Sequence, residues 1–116
     1  MQFLLIVLGA PGSGAASASA LRFAHAATAA GHVVRQVFFH ADGVHAAAPP
    51  EAVAGETDLE AGWRELARTG IPLLACTTAM ARRGVLPQSA AAVRPGSLGQ
   101  LSAALEPGSR VITFVN

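Results

Sequence analysis

The sequence holds a single cysteine, Cys76, which follows the apolar residues 71–75 and precedes Thr77-Thr78 and Arg82-Arg83. The thiolate is the nucleophilic form of cysteine. A thiol at the first turn of a helix meets unsatisfied N–H groups and the positive end of the dipole, which favour that form. With two arginines close in sequence, the pattern fits nucleophilic sulfur chemistry. The plainer alternative is a small buried hydrophobe, where unpaired cysteines most often sit. Position alone does not choose between the two.

Other clusters invite chemistry and fit it poorly. Residues 9–14, Gly-Ala-Pro-Gly-Ser-Gly, form a glycine-rich turn of the kind that presents backbone N–H groups to a phosphate. Ala15-Ala16 follows where a phosphate loop needs Lys and Ser or Thr, and the Gly-x-Gly-x-x-Gly spacing is absent. A tight turn that uses glycine's backbone freedom is the simpler reading. Of the four histidines, His25, His32, His40 and His45, the last two share a stretch with Asp42, but no recurrent zinc spacing and no cysteine accompanies them. They are expected to line or cover the edge near Cys76. A Ser-His-Asp triad lacks its nucleophile, because no serine stands in a Gly-x-Ser-x-Gly elbow.

The elements that must position Cys76 are legible from periodicity. Residues 3–8 form an apolar run without alternation, as expected of a strand covered on both faces of a parallel sheet. The alanine-rich residues 17–30 read as a closely packed helix that Gly31 stops. Residues 33–39 read as a second strand, and residues 40–56, with Asp42-Gly43 and Pro49-Pro50, as a long irregular loop. Thr57-Asp58-Leu59-Glu60 reads as a capping box opening a helix that carries Leu59, Trp63 and Leu66 as far as Gly70. A short strand over 71–75 ends at Cys76, and Thr77-Thr78 cap a short helix through Arg83 that stops at Gly84. Residues 85–96 have no clear assignment. Ser97-Leu98-Gly99-Gln100 opens a last helix, and residues 110–115 form a last strand. Strands alternating with helices define an α/β fold, a three-layer sandwich with a mainly parallel sheet of about five strands, in one domain spanning 1–116. Sites in such sheets lie at the carboxyl ends of the strands, where the segments beginning at Gly9, His40 and Cys76 emerge.

Composition narrows the function classes. With 116 residues, 52% of them hydrophobic and only 13% charged, the chain can bury one generous core, and disorder is excluded. So few charges leave part of the surface suited to cover by other subunits, so an oligomer is expected. Eight arginines with no lysine, against seven acids, and no tyrosine make a poor footprint for nucleic acid, so no direct nucleic-acid contact is expected. Residues 3–8 superficially suggest a secretory leader, but no positive charge precedes them and Pro11 to Gly14 break the apolar stretch well short of the ~20 residues of a membrane span. A cytoplasmic protein without membrane attachment is expected.

The residues resemble a family. Phe3-Leu4-Leu5-Ile6-Val7-Leu8 with its glycine-rich turn, Gly31-His32-Val33-Val34-Arg35-Gln36-Val37-Phe38-Phe39 running on to Asp42-Gly43-Val44, and above all Cys76-Thr77-Thr78-Ala79-Met80-Ala81-Arg82-Arg83-Gly84-Val85 look like the DsrE/TusD sulfurtransferases. Leu98-Gly99-Gln100-Leu101 and Arg110-Val111-Ile112-Thr113-Phe114 extend the similarity over most of the chain. The resemblance implies a small cytoplasmic subunit that joins TusB/TusC-like subunits in a hexamer, or forms a homo-oligomer. It implies that Cys76 carries sulfane sulfur as a persulfide, received from a TusA-like donor and passed to a TusE/DsrC-like acceptor, with no metal or redox cofactor. The TusD branch serves 2-thiolation of wobble uridine in tRNA; the DsrE branch serves dissimilatory sulfur oxidation. The segment between Gly84 and Ser97 is shorter than the family pattern, which bears on the rim of the sulfur pocket or on a contact between subunits. The competing class is a non-catalytic subunit with a merely buried cysteine.

Overall fold

The computed structural model describes residues 1–48 and 56–116, the side chains of 56–58 excepted. The elements run β1 (Gln2–Val7), α1 (Ala16–Ala29), β2 (Val33–Phe39), a 3₁₀ helix (Ala41–Ala47), α2 (Glu56–Arg68), β3 (Leu73–Cys76), α3 (Thr77–Arg82), β4 (Arg94–Gly96), α4 (Leu98–Ala104) and β5 (Arg110–Phe114). The five strands form one parallel sheet in the order β4-β3-β2-β1-β5. The chain therefore steps outward from β1 to β4 and then crosses back to β5. Right-handed crossovers put α1 and α2 on one face and α4 on the other, which makes the expected three layers.

The α1/α2 face holds most of the core. Phe3 meets Phe23 of α1 edge to face at 5.1 Å, and Phe39 meets Trp63 of α2 in the same way at 5.1 Å. Alanines 20, 24 and 27 let α1 lie close on the sheet, and Gly62 gives Leu21 its space: a Cβ there would stand 2.5 Å from Leu21 Cδ2. The opposite face is shaped by a bulge in β2. Phe3 pairs with Val34 and Leu4 with Gln36, so Arg35 is the extra residue. Arg35 and Gln36 both reach the α4 layer, where Arg35 pairs with Glu106 at 2.8 Å and Gln36 Nε2 donates to the Gln100 carbonyl at 3.4 Å. This layer is thin: α4 buries no residue, and Leu98, Leu105 and Val111 stay 55%, 50% and 47% exposed.

The structure corrects the expected elements at several points. The loop predicted over 40–56 begins with a 3₁₀ helix whose Gly43, Val44, Ala46 and Ala47 are buried. Gly43 lies against β1, where a Cβ would stand 2.1 Å from the Val7 carbonyl oxygen, so only glycine fits. The turn into this helix places Ala41 at φ +49°, a left-handed conformation that costs a non-glycine residue roughly 1–2 kcal/mol. Thr77 and Thr78 do not cap α3: Cys76 occupies the N-cap position, and Thr77 Oγ1 instead donates to the Gly96 carbonyl at 2.8 Å. The capping box at Ser97 and Gln100 forms with both reciprocal hydrogen bonds. The contacts of the capping box predicted at Thr57 fall outside the described side chains, and α2 starts ahead of it, at Glu56. Residues 94–96, unassigned by pattern, form β4 beside β3.

Candidate functional site

Parallel pairing brings the strand ends into one row. Phe39 pairs with Ala75 and Cys76 with Gly96, so the carboxyl ends of β2, β3 and β4 stand side by side. A pocket of about 340 Å³ opens there, with Cys76, His40, Arg82, Arg83 and Leu98 among its lining residues. Cys76 is 2% exposed and unpaired, so the thiol lies at the floor of this pocket, at the carboxyl end of β3. Arg82 and Arg83, expected near the cysteine, stand at the end of α3, the short helix that Cys76 opens as N-cap, and both line the pocket.

Arg83 also closes one side. Its Nε donates to Asp42 Oδ1 at 2.8 Å, and its Nη1 to the Ala79 carbonyl at 3.4 Å, tying the 3₁₀ helix to α3. The sequence signal for this role of Asp42 is its position in the segment that follows β2. The hydrogen bond from Arg83, and secondly its charge, hold the Asp42 carboxyl below the ordinary carboxylate value. A folded-state value below the unfolded one means that the pairing stabilises the protein above about pH 4 and is lost as pH falls through the folded value. We therefore expect Asp42→Asn to lower the urea midpoint near neutrality, and the difference from the native chain to disappear as pH drops below about 4. A difference that persists in acid would remove the ion pair from the account.

The four histidines part company. His40 lines the Cys76 pocket, whereas His45 lines a separate small cavity with Pro11 and Trp63. His32 lies at the opposite end of the sheet, where its Nδ1 is 3.3 Å from the Met1 amino group, and His25 sits on α1. His40, Asp42 and His45 are thus not gathered around one point, and the described residues contain no group of three or more metal-ligating side chains.

The glycine-rich turn before α1 receives a side chain of this protein. Cβ atoms at Gly9 and Gly14 would stand 2.3 Å and 2.6 Å from Asn116 side-chain atoms, so both glycines make room for that carboxamide. Asn116 Oδ1 accepts from the Ala16 N–H at 3.0 Å, capping α1 where Ala15 has no side chain to do so. The anion-binding geometry of a helix start is therefore used inside the fold. Asn116→Ala is expected to cost about 1 kcal/mol, the usual value of an N-cap, read as a lowered denaturation midpoint.

A doubly covered parallel sheet with an arginine-lined cysteine pocket at its carboxyl edge defines a class of small single-cysteine α/β proteins. The chain belongs to the DsrE/DsrF-like family, whose profile matches residues 1–114. It is 46% identical over 89 residues to a sulfurtransferase TusD homolog of Pseudomonas aeruginosa, covering 74% of this chain and 66% of that protein, so part of that relative lies outside the match. It is 42% identical over 94 residues to sulfurtransferase TusD of Serratia proteamaculans, covering 79% of this chain and 73% of the relative. The crystal structure of the ychN protein from E. coli superposes with a TM-score of 0.79 at 25% identity, covering 98% of this chain and all of that one. These likenesses bear out the family and the fold expected from the sequence.

Proposed function

We propose that the chain is a sulfur-relay sulfurtransferase subunit in which Cys76 accepts sulfane sulfur as a persulfide from a TusA-like carrier and passes it to a TusE/DsrC-like acceptor. The reading rests on one observation above all: an unpaired cysteine at the floor of an arginine-lined pocket, in a chain similar to proteins named sulfurtransferase TusD. The transfer is attack of a thiolate on the outer sulfur of a persulfide, and it consumes no metal and no electrons. Arg82 and Arg83 supply positive charge where the anionic sulfur species gather. In this reading the subunit works in the cytoplasm and serves tRNA wobble-uridine 2-thiolation, with dissimilatory sulfur oxidation the alternative pathway; the support is the likeness to proteins named sulfurtransferase TusD. Among the described residues no helix is long and apolar enough to cross a membrane. The exposed Leu98, Leu105 and Val111 on the thin α4 layer suit cover by TusB/TusC-like subunits or by further copies of this chain.

The test is intact-mass analysis of the native protein after incubation with a persulfide-loaded carrier. One added sulfur, mapped to Cys76 and removed by reductant, supports the reading. One observation favours the alternative of a non-catalytic subunit: Cys76 is 2% exposed. A structural cysteine reacts with an alkylating agent only after unfolding, whereas a site thiolate reacts in the native state below the free-thiol value of about 8.5. No added sulfur, together with resistance to alkylation until unfolding, would decide for the structural role.

A further inference from the structure

The pocket contains a second group able to move a proton. His40 follows Phe39, the last residue of β2, and Cys76 follows Ala75, the residue paired with Phe39, so the two stand one position past the same rung of the sheet. Strand alternation turns both side chains away from the Phe39–Trp63 face, and both line the same pocket. The His40 backbone is held on both sides: its N–H donates to the Val7 carbonyl at 3.0 Å, and its carbonyl accepts from the Gly43 N–H at 2.9 Å. Its ring lies 6.3 Å from that of Phe38, and its Nδ1 is buried without a hydrogen-bond partner among the described residues. A buried ring nitrogen without a partner is unfavourable, and among the described residues no hydrogen bond to the ring fixes which nitrogen bears the proton.

The charged groups at the pocket cannot serve. Arg82 and Arg83 of α3 line it, but a guanidinium donates hydrogen bonds and accepts none, and Asp42 of the 3₁₀ helix, outside the lining, is engaged by Arg83. The start of α4 contributes Leu98, which has no titratable atom. Besides the thiol, His40 is the lining residue whose side chain can accept a proton at one ring nitrogen and donate one from the other.

We propose that His40 is the proton carrier of sulfur transfer, an inference that rests on reading Cys76 as the persulfide-bearing residue. The imidazole takes the Cys76 S–H proton as the sulfur attacks the outer sulfur of the donor persulfide. The Cys76 Sγ–S bond forms while the donor's S–S bond breaks, and the electron pair leaves on the donor's remaining sulfur. The imidazolium then returns the proton to that thiolate. One thiol and one persulfide become one persulfide and one thiol, with no net oxidation. Delivery to an acceptor thiol runs the same steps with Cys76 as the leaving group.

The test compares single-turnover loading by a persulfide-loaded carrier in the native protein, His40→Gln, His40→Ala, His45→Gln and Cys76→Ser, with circular dichroism as a check of folding. At about pH 7, His40→Gln is expected to load at least tenfold more slowly, general acid–base groups contributing typically 10²–10⁴-fold. At about pH 10, where hydroxide from solvent can take the proton in place of the imidazole, it should approach the native rate. Added imidazole should restore part of the lost rate to His40→Ala, and His45→Gln should load normally. Native-rate loading by His40→Gln near pH 7 overturns the inference and leaves the reading of Cys76 standing. Slowing by the same factor near both pH values, with no imidazole rescue, overturns it in favour of a packing role. Loading of Cys76→Ser overturns both.

Discussion

Sulfur loading is expected to vanish in Cys76→Ser, with no residual pathway through the rest of the chain. The sequence has one cysteine, so no second thiol can take over. A serine hydroxyl is not ionised near neutrality and cannot hold a persulfide, so the loss should be complete rather than graded. Folding is a separate matter, because Cys76 is 2% exposed and a buried hydroxyl without a partner costs roughly 1–3 kcal/mol. Cys76→Ala controls for this: it keeps the pocket floor apolar and should equally fail to load. Circular dichroism and the elution volume should match the native protein in at least the alanine variant. A gain of one sulfur in either variant would place the chemistry elsewhere and end the assignment.

The largest effect on stability is expected at Trp63. Its ring is 1% exposed, packs edge to face on Phe39 and borders the small cavity lined by His45, Ala46 and Ala48. It therefore joins α2, the sheet and the 3₁₀ helix at one point. Trp63→Ala should cost about 3–5 kcal/mol, the range for removing a large buried aromatic. Against the ~5–15 kcal/mol that holds a typical domain together, that is a large fraction. A fall in melting temperature of about 10 °C or more is expected by calorimetry. Trp63→Phe should recover part of it, because a ring still meets Phe39. A melting temperature within a few degrees of native for Trp63→Ala, on the order of a 1 kcal/mol change, would show that this junction is not what anchors the 3₁₀ helix. The link to function is geometric. The 3₁₀ helix carries Ala41 and Asp42, and Asp42 holds Arg83 at the Cys76 pocket, so the alanine variant should also load more slowly than its folded fraction predicts.

Much of the architecture is written in short-range pattern. The unbroken apolar run of β1, the alanines of α1, the left-handed Gly31 after it and the Ser97–Gln100 capping box are all local, and each element formed where the pattern put it. The junction of a strand with a helix at Cys76 was equally legible, because an apolar run ends there and a helical one begins. Alternating strands and helices then left right-handed crossovers and a parallel sheet as the arrangement that buries every apolar face. What needed the tertiary structure are contacts whose partners lie far apart in the chain. Arg94-Pro95-Gly96 has no strand propensity of its own and becomes β4 because β3 offers it an unpaired edge. Asn116 caps α1 across 100 residues, which accounts for two glycines that resembled half of a phosphate loop. Gly43 looked like a loop residue until the Val7 carbonyl stood against it. His40 and Cys76 line one pocket because β2 and β3 pair in one register; a slip of one residue would turn their side chains to opposite faces. Local propensity therefore determined the elements and the place of the cysteine in them, while register and crossover direction decided which distant residues stand around it.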